Sequence, residues 1–169
     1  MSTENLHYRD GNIDDLDQMM ELAFLSWKEY KSQLTEENWN QLEKLLENSD
    51  TYNDLLKMSQ CILCETIEKE VVGMAFLVPS GNPTHIYEET WSYIRFVSVN
   101  PDFRGQKIGK TLTEKCITYA KENKENIVAL HTSEMMGQAI SLYEKLGFRI
   151  KRELDPILGK RYWLYLLEL

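Results

Sequence analysis

The stretch YIRFVSVNPDFRGQKIGKTL, residues 93–112, decides how the rest of the chain is read. Its first seven residues are apolar on both alternating sets of positions, which predicts a central strand buried on both faces. Ile108, Leu112, Cys116 and Tyr119 then recur at helical spacing, and that helix should end near Asn123. Between strand and helix stand Arg104, Lys107 and Lys110, in a chain whose net charge is −8. A helix start carries partial positive charge and unpaired N–H groups, so acidic side chains normally collect there. Cations in that place each cost roughly 0.3 kcal/mol or more unless an anion offsets them. Gly105 and Gly109 remove Cβ atoms that would hold a ligand away from the backbone. Strand, glycine turn, helix start and cations together predict a phosphate site. The spacing fits neither G-x-x-x-x-G-K-[ST] nor G-x-G-x-x-G, which argues against nucleoside triphosphates and NAD.

Working outward, Leu6–Arg9 reads as a short first strand. Asn12, with Asp15 three residues on, forms a capping-box pattern ahead of a helix carrying Ile13, Leu16, Met20, Ala23, Phe24 and Trp27. A second helix begins after Thr35, with Trp39, Leu42, Leu45 and Leu46 on one side, while residues 50–60 stay ambiguous. CILCETIE and VVGMAFLV flank a charged turn and predict a hairpin. SGNPTHIYEE is a loop, and beyond the quoted segment NIVALHTS is a strand. Met135, Ala139, Leu142 and Leu146 form a helix stopped by Gly147, and FRIKREL and RYWLYLLEL close the sheet. Antiparallel hairpins around one strand–helix–strand crossover predict an α+β, or mixed α/β, domain covering residues 1–169.

Composition narrows the function classes. The acidic balance lacks the basic footprint of a nucleic-acid binder and suits a cationic substrate. No apolar run approaches the length needed to span a bilayer, and the polar N-terminus MSTENLHYRDGNIDD has no signal- or transit-peptide character, so the expectation is a cytoplasmic protein with no membrane partner. Cysteines number three, which suits a reducing compartment. Cys61 and Cys64 form a C-x-x-C within a strand, where their side chains point to opposite faces, and no second Cys/His pair stands at finger-like spacing, so no metal is expected.

The segment V-x-V-N-P-x-x-R-G-x-x-I-G-K resembles the pyrophosphate-binding motif of the GNAT superfamily of N-acetyltransferases, whose core R/Q-x-x-G-x-G/A corresponds to Arg104, Gly105, Gln106, Lys107, Ile108 and Gly109. A second stretch, AISLYEKLGFRI at 139–150, resembles the same family's A-x-x-L-Y-E-K-L-G-F signature. Lys107 stands where a glycine is usual, and Met136 where an Asn often lies three residues before the alanine. The resemblance covers about residues 90–150. It implies a GNAT-like central, mostly antiparallel β-sheet flanked by helices, with acetyl-CoA as co-substrate. It places the pyrophosphate on the amides of 104–109, with Arg104, Lys107 and Lys110 around it. The pantetheine arm would run along the strand beside Val97 and Val99.

The resemblance also implies acetyl transfer to a primary amine by direct attack in a ternary complex, with Tyr143 protonating the departing thiolate. The base that removes the amine proton stays open between Glu88, Glu89, His131 and a water. Arg95, in an otherwise apolar strand, requires a partner, either a structural carboxylate or an acidic group on the substrate, and the structural one is the expectation. The acceptor is read as a small-molecule amine, with a cationic one favoured by composition, and the chain as monomer or homodimer. A CoA-binding sensor or interaction module without catalysis is the competing reading.

Overall fold

The computed structural model describes residues 5–169. Seven strands form one sheet: β1 (Leu6–Asp10), β2 (Gln60–Thr66), β3 (Val71–Val78), β4 (Ser92–Val99), β5 (Ile127–Ser133), β6 (Arg149–Glu153) and β7 (Tyr162–Glu168). Their spatial order is β1-β2-β3-β4-β5-β7-β6. Every neighbouring pair is antiparallel except β4 and β5. Those two are joined by the crossover helix α4 (Ile108–Glu122), since parallel neighbours need a long connection. The expected α+β class and mostly antiparallel sheet are what the chain forms.

Alternation along the central strands sorts the core into two layers. Cys61 and Leu63 of β2 face α1 (Leu16–Lys28), α2 (Glu36–Leu46) and α3 (Ser49–Met58), joining Met19, Leu22, Trp39, Leu46, Tyr52 and Phe76. Ile62 and Cys64 face the other way, onto α4 and α5 (Gly137–Lys145), with Leu112, Cys116, Leu130, Tyr143 and Phe148. The C-x-x-C cysteines therefore lie on opposite faces of the sheet, as period-two alternation demands. β3 is buried along its whole length, so both of its faces carry apolar side chains.

Local signals mostly survive folding. Asn12 and Asp15 form a complete capping box, although the turn they close is a 3-10 turn at Ile13–Asp15 that runs into α1. Asp15 is further held by Arg9 at 2.7 Å, and Arg9 also reaches the buried Glu65 at 2.9 Å. Thr35 and Asn48 cap α2 and α3 through side-chain oxygens. The ambiguous stretch after residue 49 is thus a helix, begun by the Asn48 cap. Leu45 is 45% exposed, unlike Trp39, Leu42 and Leu46, because it lies one position off the buried stripe. Gly147 takes φ 102 just after α5, the left-handed turn that stops a helix there.

Gly73 sets how closely α4 sits on the sheet. A Cβ there would lie 2.6 Å from Ile108 Cγ2 and 3.2 Å from both Cys64 Cβ and Leu112 Cδ1. Gly73→Ala should therefore push the start of α4 outward and cost about 1–3 kcal/mol, read as a lower denaturation midpoint at constant slope. An unchanged midpoint would show that this contact does not fix the helix.

Candidate functional site

The parallel pair at the centre of the sheet comes apart. β4 has eight residues and β5 has seven, yet they are in register only at Ser92 with Val128 and Tyr93 with Ala129. From there β4 bends away, because it carries one residue more than its other neighbour: Phe76 faces Arg95 and Met74 faces Ser98. Such a bulge turns the strand. At its centre Phe96 holds φ 52, a left-handed conformation costing about 1–2 kcal/mol for an L-residue. Its ring is fixed 5.6 Å from Tyr52 and 6.4 Å from Phe76. Strained backbone of this kind concentrates at ligand sites.

The result is a wedge between β4 and β5 with unpaired backbone along one wall. Asn100 donates its N–H to Val72 of β3 at 2.8 Å. Successive strand amides point in opposite directions, so Val99, and Val97 before it, direct theirs into the wedge. Among the described residues no strand pairs with that edge beyond Tyr93. Val97 and Val99 thus lie on the open edge, where an extended ligand could complete the ladder.

The glycine turn closes one end of the wedge. Asn100 Oδ1 accepts from Asp102 N at 2.9 Å, and the buried Phe103 anchors a short 3-10 turn. Gly105 follows at φ 80 with open space on its Cβ side. Lys107 takes φ 59, so it adopts a left-handed conformation that glycine reaches at no steric cost. As N-cap of α4 it gives no side-chain cap, and the first turn holds no acid. α5, capped by Met136, has the same two features. On the other face, Asn12 caps the turn that runs into α1, Thr35 caps α2 and Asn48 caps α3. Both helices beside the wedge therefore begin with N–H groups that no side chain satisfies.

The predicted side chains divide. Ile108 is 2% exposed in the core, so only its backbone is available to a ligand. A Cβ on Gly109 would lie 3.8 Å from Val99 and Leu142, at the wedge's lip. Gln106 Oε1 is buried without a partner. Lys107 has no acidic partner among the described residues, and Lys110 has only Glu114 at 3.9 Å. Arg104 is engaged: Glu29, just past α1, takes its guanidinium through Nη1 at 2.6 Å and through Nη2. Two of the three cations remain to face an anion directly. The third ties α1 to the glycine turn by an exposed pair contributing about 1 kcal/mol at most.

Tyr143 lies on α5 in the core layer facing α4, 7% exposed and edge-on to Phe148 at 5.8 Å. Burial pushes its phenol well above the ordinary value of 10, with Cys116 and Tyr30 adding smaller effects. The Cys116 thiol is pushed up to about 12 by burial, which keeps it protonated and unreactive. His131, half-buried on β5, meets the Tyr87 hydroxyl through Nδ1 at 2.5 Å. Burial, then Arg95, then His85 lower its pKa to about 4, so it is neutral near pH 7 and a weak base. Glu88 and Glu89 are exposed on the turn before β4, where their carbonyls accept from Trp91 and Gly81. The base candidates are not gathered into one cluster. Glu29, Tyr87 and the Phe96 bulge escaped sequence reasoning, since each acquires its role from a partner distant in sequence.

The site is thus a split sheet with a glycine turn, an uncapped helix start and, among the described residues, an unpaired lysine at the mouth of the split. Residues 16–148 match the acetyltransferase (GNAT) family, and the chain belongs to it. It is 30% identical, over 85% of its length, to an uncharacterized N-acetyltransferase of Methanocaldococcus jannaschii, of which the match covers 60%. It is also 30% identical to the peptidyl-lysine N-acetyltransferase YjaB of Salmonella typhimurium, over 69% of each chain. The PaiA N-acetyltransferase of Thermoplasma acidophilum in complex with coenzyme A superposes with a TM-score of 0.79 at 17% identity, over 97% of this chain and 99% of that one, a likeness of fold. The match spans 60%, 43% and 48% of three of the curated relatives, so the chain corresponds to part of their length. No helix among the described residues is long and apolar enough to cross a membrane.

Proposed function

We propose that the protein transfers the acetyl group of acetyl-CoA to a primary amine by direct attack within a ternary complex. The observation that carries this reading is the wedge. Its β4 wall offers the amides of Val97 and Val99 to the amide-rich pantetheine arm, and its mouth offers the uncapped start of α4 to phosphate. The open space at Gly105 and the unpartnered Lys107 fit a phosphate group.

In the reaction the amine nitrogen attacks the thioester carbon, the C–S bond breaks, and the amine loses a proton. Backbone N–H groups of the β4 bulge would stabilise the oxyanion, a role that needs no special side chain. The departing sulfur is assigned to Tyr143. Burial holds the phenol in its protonated form and would raise the pKa of a thiol beside it in the same direction. The phenol's proposed contribution is to protonate the departing thiolate, while the amine's proton, released through water, restores the phenol. Burial and Arg95 make His131 a weaker base than an ordinary imidazole, so it takes that proton less readily. The acceptor class is a small-molecule amine; the YjaB relative, by its name, acts on peptidyl-lysine, so peptides belong in the screen.

Tyr143→Phe should retain acetyl-CoA binding and lower kcat about 10²-fold in a thiol-release assay over an amine panel. Equal turnover in both forms would remove Tyr143 from this role, and acetyl-CoA binding without turnover of any amine would favour the sensor reading. Replacing Lys107 and Lys110 by Ala should weaken CoA about tenfold or more while leaving pantetheine affinity within about twofold. Parallel losses for both ligands would place the phosphates elsewhere.

A further inference from the structure

We propose that Arg95 binds a carboxylate on the acceptor, so that the protein selects amines carrying an anionic group close to the nucleophilic nitrogen. This rests on the acetyl-transfer reading and specifies its substrate. Arg95 stands two residues beyond Tyr93, on the same face of β4, just past the last residue in register with β5. It therefore lies at the apex of the wedge, on the face away from α4 and α5. An amine approaching the thioester from that face meets it.

The expected structural carboxylate is absent: among the described residues no Asp or Glu forms an ion pair with Arg95. Its one recorded partner is the ring of Phe96, 5.5 Å away. The walls around it are aromatic and neutral. Tyr93 stacks on Tyr87 at 4.0 Å with the rings 10° apart. Tyr87 is bonded to His131, whose ring lies 5.8 Å from Tyr162. The Tyr93 hydroxyl is spent on Asn82 O at 3.0 Å, outside this cluster. The same guanidinium helps to lower the pKa of His131, and exposed His85 adds to that effect, so the local field favours an anion.

Burying a cation even partly without a counter-charge is unfavourable, and a carboxylate is the group a guanidinium's planar fork matches best. That a chain of net charge −8 leaves this cation unpaired makes an external partner the economical explanation. The anion can come from a free α-carboxylate or from an acidic side chain of a peptide, which present the same group to Arg95.

The test is acetyl transfer to matched acceptors: free amino acids against their C-terminal amides, and dipeptide amides with an aspartate side chain against those with asparagine. The carboxylate member of at least one series should be preferred about tenfold or more in kcat/KM, mainly through KM, and the series showing it identifies the source. Arg95→Gln should bring the two members within about threefold of each other, and Arg95→Lys should keep part of the preference. Acetyl-CoA titration of each variant checks that the fold is retained. Equal kcat/KM across every pair in the unaltered protein, or a preference that survives Arg95→Gln, overturns the proposal. If no amine is acetylated, acetyl transfer is what fails. Binding of N-acetyl amino acids and their amides to the CoA-loaded protein then decides the carboxylate site, equal affinities overturning it and a preference lost in Arg95→Gln supporting it.

Discussion

The separation of β4 from β5 after Tyr93 and Ala129 is the constraint on which the rest of the structure depends. A parallel pair at the centre of a sheet normally stays hydrogen-bonded, because each unmade buried bond costs about 1–3 kcal/mol. Here the extra residue at Phe96 bends one strand out of reach of the other. The packing of Tyr52 and Phe76 against that ring holds the bend in place. The exposed edge is stable in isolation only if water or a ligand satisfies it, and a ligand with its own amides does so with the geometry of a missing strand.

Around that opening the electrostatics are set by what is left unpaired. On the other face the turn leading into α1 and the helices α2 and α3 begin on side-chain caps, whereas α4 and α5 begin bare beside the wedge. The strongest ion pairs, Arg9 with Asp15 and Glu65, lie at the sheet's far edge and fix β1 to its neighbours. Lys107 and Arg95, one at the mouth of the wedge and one at its apex, have no carboxylate partner among the described residues. In an acidic chain such cations mark two positions suited to anions, which the proposals above give to phosphate at one end and to the acceptor's carboxylate at the other.

The legible parts of this architecture were those written locally. Two β-rich runs, CILCETIE and VVGMAFLV, about a charged turn marked the hairpin, and the glycines at 105 and 109 marked the turn between β4 and α4. Lys107, where glycine is usual, keeps the left-handed backbone that the turn needs, so the departure in sequence left the shape intact. What stayed hidden was non-local. Nothing near Arg104 in sequence announces Glu29, and nothing in YIRFVSV shows that its fourth residue bulges, since an aromatic at positive φ is held there by tertiary packing. Arg95 reads as needing a structural partner for the same reason: an apolar strand reads as core throughout, and the split beside it depends on a neighbouring strand some thirty residues later.

Amide hydrogen exchange at Val97 and Val99, followed with and without saturating acetyl-CoA, tests the role of the wedge most directly. Both amides should exchange readily in the free protein and become protected about tenfold or more when the ligand is bound, with smaller changes on β1 and β2. Tight binding that leaves both amides unchanged would contradict it, because the ligand would then lie somewhere other than the wedge.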